Sequence, residues 1–256
     1  LEALLARAEK SGRSEDVRTV AADLAAMETD PVRRADWQTA IADLPASERP
    51  ELASHWAQMA AAEHASVASF ARVTLELMAL GAPADLIADT QTAAADEVRH
   101  ARICYGLASH YAGVSVGPGP LPLADVALRT DPRAVLVALI DEACVGETLA
   151  ALEAAEAAER AQDATLKSLL TTIAEDEQRH AELAWRTLSW LLDVHPDLVP
   201  VAAERFRSAR PPRPEPGPAD LEEHGLLSPL SKLKFGMIGM REVVWPAMRT
   251  TVERRA

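Results

Sequence analysis

One six-residue phrase occurs twice in this chain, DEVRHA from Asp96 to Ala101 and DEQRHA from Asp176 to Ala181, eighty residues apart. Each copy sets a glutamate three residues before a histidine, Glu97/His100 and Glu177/His180, inside a long helical pattern. Residues three apart share one face of a helix, so each carboxylate and imidazole can close on one ion together. One such pair is ordinary on a helix surface. Two pairs, each preceded by a helix with an acid on its apolar line, demand four helices whose acids meet at one level.

Composition agrees with such packing. Eleven glycines, 4% aromatics and abundant alanine in 256 residues favour helices that approach closely through small side chains. No stretch comes near the run of about 18 apolar residues that a membrane span needs. A net charge of −13 excludes nucleic acid as a partner, because its phosphates require clustered Lys and Arg. We read that charge as a solvated helical surface. Cys104 and Cys144 form neither a disulfide framework nor a Cys-x-x-Cys site. The expected compartment is the cytoplasm, with any signal or lipoprotein segment lying upstream of Leu1.

Residues 1–46 read as short polar helices, interrupted at Ser11-Gly12 and Asp30-Pro31, that form an accessory collar. The bundle is expected over 47–209. Its first helix runs from about Pro50 to Leu80 on the line Trp56, Ala60, Glu63, Val67, Phe70, Thr74 and Leu77. Gly81-Ala82-Pro83 then supplies a C-terminal glycine and a proline start for a second helix, Ala84 to Tyr111. Residues 112–130 contain Gly117-Pro118-Gly119-Pro120 and Pro122, cannot be one helix, and are long enough to travel back along a bundle. Asp131-Pro132 caps a third helix that reaches about Ala161, and Asp163 caps a fourth that ends before His195-Pro196. A fifth is expected from Asp197 to Ser208. Residues 210–219 (RPPRPEPGPA) form an extended linker. Residues 220–256 read as a mostly helical tail, broken or kinked at Trp245-Pro246. Its apolar residues Leu226, Leu227, Leu230, Leu233, Phe235, Met237, Ile238 and Met240 are expected to pack on the bundle or on a subunit neighbour, as in a homodimer.

The fold class is therefore all-α, with two helix hairpins joined by one crossover. Carboxylate oxygens and imidazole nitrogens suit two Fe ions, or Mn. The candidate ligands are Glu97/His100 and Glu177/His180, joined by Glu63, the one acid on the inner line of the first helix. The third helix offers Glu147 and Glu142, thirty and thirty-five residues before Glu177. Glu147 has small neighbours (Ala143, Cys144, Ala150), whereas Glu142 lies on a line with Val135, Leu139, Val145 and Leu149 that resembles ordinary core. Residues five apart on an α-helix differ by about 140°, so both cannot face one metal pair equally. Glu147 is favoured, with Glu142 the alternative helix 3 ligand.

The stretches AEHASVASFARVTLELMALGAP, DEVRHARICYGLASHYAG and DEQRHAELAWRTLSWLL resemble the ferritin-like superfamily over roughly residues 50–195, and within it bacterial ferritin-like domain proteins. The resemblance implies a di-iron carboxylate four-helix bundle with its long crossover between helices 2 and 3. It implies a non-haem oxidoreductase (oxidase, oxygenase or peroxidase) that uses O2 or peroxide on a small molecule, with an electron donor as partner. The alternative it implies is iron oxidation and storage, or metal buffering. The missing Cys-x-x-Cys sets the chain apart from a full rubrerythrin. Cys104 stands where some relatives carry a radical tyrosine, and Tyr105 points about 100° away, against a tyrosyl radical.

Cys104 and Cys144 are read as small core fillers on opposite sides of the metal level. Asp96 and Asp176 can each accept a hydrogen bond from the histidine of the other pair. Arg99 and Arg179 are expected to pair with carboxylates on the outside. Trp56, Trp185 and Trp190 are expected as core anchors, and His64 is turned away from the site.

Overall fold

The computed structural model describes residues 48–124, 126–214 and 221–255. The proposed collar over 1–46 lies outside the described residues, as does 215–219 of the proposed linker. Every regular element among the described residues is helical.

α1 (Glu48–Ala79) and α2 (Ala84–Ala112) form the first hairpin. Gly81 closes α1 with φ +73°. Its N–H and that of Ala82 donate to the carbonyls of Met78 and Leu77, which satisfies the last turn of the helix. Gly113, also left-handed at φ +69°, ends α2. The described residues of the crossover carry no helix as far as Asp131, whose carboxylate accepts the Ala134 N–H at 2.9 Å.

The third bundle helix is one rod of three pieces: α3 (Pro132–Ala138), a π-helical segment (Leu139–Val145) and α4 (Gly146–Arg160). The sequence period predicts a plain α-helix here. The π segment is a departure from that expectation, and it changes which side chains share a face. α5 (Ala164–Val194) begins at Asp163, whose carboxylate accepts the Leu166 N–H at 2.8 Å. Pro196–Leu198 is a single 3-10 turn, and α6 covers Val199–Ser208.

The core divides into two apolar ends. One gathers Leu52 and Trp56 of α1, Ile103 and Leu107 of α2, Ala157 and Ala158 of α4, and Leu166, Leu169 and Leu170 of α5. The other gathers Leu136 and Ile140 of the third helix, Leu188 and Leu191 of α5, and Phe206 of α6. The N-terminal half of α1 and the C-terminal half of α2 therefore share an end, so the hairpin is antiparallel. The same reasoning makes α4 and α5 antiparallel, and α2 parallel to the third helix. Between the two apolar ends lies a buried polar belt that includes Asp96, Glu97, His100, Asp176, Glu177 and His180.

The tail packs on this frame through α7 (Pro229–Gly239), a second π segment (Met240–Val244) and α8 (Trp245–Thr251). No break occurs at Trp245-Pro246. Pro246 cannot donate a backbone hydrogen bond, and the wider turn just before it carries the helix past that gap. Leu226, Leu227 and Met240 are buried as the sequence suggests, but Leu230, Leu233 and Met237 stay exposed. Across α7, the second π segment and α8 the buried residues are instead Gly236 (against Pro211), Gly239 (against Leu149 and Leu152), Met240, Val244 and Met248.

Candidate metal centre

Two groups of acidic and imidazole side chains converge in the polar belt. Glu63, Glu97, His100 and Glu177 form one, and Glu97, Glu147, Glu177 and His180 form the other, each with donor atoms within 4.8 Å of one another. Glu97 and Glu177 belong to both. The six residues come from all four bundle helices, because the Glu-x-x-His spacing holds each pair on one inward face while Glu63 and Glu147 face them from the preceding helices.

The imidazoles are oriented. His100 Nε2 lies 3.0 Å from Asp176 Oδ2, and His180 Nε2 lies 3.4 Å from Asp96 Oδ2. Each aspartate thus serves the histidine of the opposite repeat. Arg99 bonds both aspartates, and Arg179 bonds Asp176 and lies 3.8 Å from Asp96. Arg99 is only 16% exposed, so it is part of the packed layer behind the histidines rather than the outer surface that the sequence suggests.

With Nε2 engaged, each Nδ1 faces the acids. His100 Nδ1 is 3.2 Å from Glu177 and 3.6 Å from Glu63, and His180 Nδ1 is 3.1 Å from Glu97 and 3.4 Å from Glu177. None of these approaches has hydrogen-bond geometry: His100 Nδ1, His180 Nδ1, Glu97 Oε2 and Glu177 Oε2 are buried without a hydrogen-bond partner. Unpartnered buried polar atoms of this kind cost about 1–3 kcal/mol each. Four that face one another, two from α2 and two from α5, fit a site that a cation completes.

The electrostatics agree. Burial alone disfavours charged imidazole, yet the hydrogen bond to Asp176 and the close carboxylates of Glu177 and Glu63 outweigh it and push His100 up to about 11. His180 is pushed up to about 12 in the same way by Asp96, Glu177 and Glu97. Burial raises Glu97 to about 7, helped by repulsion from Glu177 and Glu63 and opposed by His180. Burial and Glu177 lift Glu147 well above the carboxylate range. Glu177, against its burial, is held well below that range by both histidines. Positive charge is thus demanded at the centre, and in this structure protons on imidazole supply it.

Glu142 sits elsewhere. It is 47% exposed, bonded to Arg72 and, at 3.1 Å, to Arg129. Arg72 and Arg129 also hold Glu76, a buried acid of α1 that accepts the Arg129 backbone N–H at 3.0 Å and anchors the end of the crossover. Sequence reasoning missed this network. Its sole local sign is the four-residue spacing of Arg72 and Glu76.

Cys104 and Cys144 are buried free thiols, one in each apolar end. Burial, with Glu63, Glu97 and Glu177 nearby, keeps the Cys104 thiol protonated. Trp56 is fully buried, while Trp185 and Trp190 are partly covered and Trp185 stacks on Phe206 with ring centroids 5.4 Å apart.

Fold and site together define an all-α bundle with a buried Glu/His cluster able to hold metal. No protein-family model, curated protein or solved structure matches the chain. No helix among the described residues is long and apolar enough to cross a membrane.

Proposed function

We propose that this chain is a ferritin-like di-iron or di-manganese carboxylate protein, and that it oxidises a small substrate with O2 or peroxide. The observation that carries the reading is the set of four unpartnered, buried ligand atoms on His100, His180, Glu97 and Glu177. Oxygen and nitrogen donors without thiolate suit Fe and Mn among the first-row ions. Glu63, Glu97, His100 and Glu177 would hold one ion, and Glu97, Glu147, Glu177 and His180 the other. Bound metal would supply the redox chemistry toward oxygen, which no amino-acid side chain here can provide. The protein's own part is to fix the two imidazoles through Asp176 and Asp96 and to keep bulk water from the centre with two apolar ends.

Anaerobic loading with Fe(II), metal analysis, and then oxygen consumption with and without candidate small molecules tests the reading. We expect two irons per chain and oxygen uptake that a substrate accelerates. Uptake of many irons per chain would instead show storage, and failure to bind two would remove the metal centre.

A further inference from the structure

Resting on the di-metal reading above, we infer that the centre is served from one side by a binding pocket for a largely apolar molecule about the size of one six-membered ring. A cavity of about 170 Å³ lies between α1, α2, the π segment and α5. Glu147 and His180 line it, whereas neither Glu63 nor His100 does. On the other half of the centre Cys104 and Trp56 are fully buried, and Glu63 keeps 17% of its side chain exposed. The sequence repeat is symmetric, but this cavity adjoins one half of the centre only. A molecule that enters it meets the Glu147/His180 group.

Volume sets the size of the occupant. An apolar cavity of about 150 Å³ accepts benzene, while drug-sized ligands need about 300 Å³ or more. The lining sets its chemistry. The ionisable groups on the cavity wall are Glu142, Glu147 and His180, with no Lys or Arg among them. Arg72 and Arg129 are held by Glu76 and Glu142. Phe70, Leu139 and Leu183 provide apolar wall, and the hydroxyls of Ser66 and Thr187 provide polar points that can orient one group on a ring. Half-exposed Glu142 marks the mouth. A larger groove of about 580 Å³ on the outer face of α4 and α5 contains no member of the cluster and does not compete for this role.

The probe is 4-fluorophenol, uncharged at neutral pH, followed by fluorine NMR on the full chain, metal-free and loaded with Mn(II). Saturable binding to both forms is expected, with strong paramagnetic broadening of the bound line in the Mn(II) form. Ala143→Leu, which fills the cavity from the π segment, should weaken binding by about tenfold or more. Ser66→Leu, on the facing wall, should do the same, and both variants should keep helical content and metal stoichiometry. Binding unaffected by both substitutions, no saturable binding, or a line unbroadened by bound Mn(II) would each overturn the pocket. Metal-free protein that binds 4-fluorophenol but never binds metal would sink the di-metal reading and leave the cavity standing. Two bound metals with no 4-fluorophenol bound would do the reverse.

Discussion

Asp176 of α5 reaches across the bundle to His100 of α2, with Oδ2 3.0 Å from Nε2, and Asp96 of α2 returns the contact to His180 at 3.4 Å. This reciprocal exchange places a hydrogen on each Nε2 and turns each Nδ1 toward the acids, where its lone pair becomes available to a metal once the imidazolium proton has left. Asp176→Asn should therefore lower metal affinity by about 10–100-fold with little change in helical content. Competition against a chelator of known affinity measures it. An unchanged constant would show that Asp176 merely fills space.

Loss of metal and rise of pH should act together on stability. In the metal-free fold, His100 at about 11 and Glu97 at about 7 both lie above their ordinary values of 6.5 and 4.5. Stability from a raised group is full below the ordinary value and is lost as pH rises through the folded one. Melting of metal-free protein should thus fall steadily between about pH 5 and 9. Asp176, lowered to about 2 by His100 and Arg99 against its burial, contributes throughout that window and fails only in acid. Metal should flatten the profile, because it replaces the protons on both imidazoles, and its affinity should rise with pH. A metal-free protein as stable at pH 9 as at pH 5 would contradict this.

Glu97 is shared by both groups of donor atoms, so Glu97→Ala should abolish stoichiometric metal binding. The same change removes one of several mutually repelling buried acids. The metal-free variant should remain helical and melt at or above the metal-free wild type, as followed by circular dichroism.

Glu147→Ala should cost one of two metals, and Glu142→Ala should keep both. Metal content per chain decides between them. The Glu142 variant removes one of the two acids that hold Arg72 and Arg129 at the cavity mouth and leaves them on Glu76, so its expected effect falls on the rate of the oxygen reaction. Reversed results would exchange the roles of the two acids.

Gly225 closes the turn after Glu222–His224 with φ +77°. An added Cβ would lie 2.6 Å from Leu170 Cδ1 and 3.4 Å from Trp56 and Leu166. Gly225→Ala should cost about 1–2 kcal/mol for the left-handed backbone alone, read from urea unfolding. Metal stoichiometry should not change, since the site lies a helix segment away from this apolar end.

Much of this architecture was legible because helix signals are local. Gly81-Ala82-Pro83, Asp131-Pro132 and Asp163 end or cap helices through bonds to their own neighbours, and a three-residue Glu/His spacing puts both side chains on one face in any helix. The long crossover makes α2 parallel to the third helix, which in turn brings the repeats together with Asp96 and Asp176 facing each other's histidines. The relation between Glu142 and Glu147 was not legible. Five residues span about 140° on an α-helix but close to one full turn where hydrogen bonds run from i to i+5, so both acids line one cavity. No residue from Leu139 to Val145 announces that wider turn. It depends on what packs around the third helix, including Arg72 and Arg129 on Glu142 and Arg205 on Asp141 at 2.6 Å. The tail shows the same limit, because an amphipathic helix specifies that it has an apolar face but not which part meets the bundle. Short-range spacing determined the helices and the candidate ligands, whereas contacts between residues distant in sequence decided the π segments, the cavity beside Glu147 and His180, and the seat of the tail.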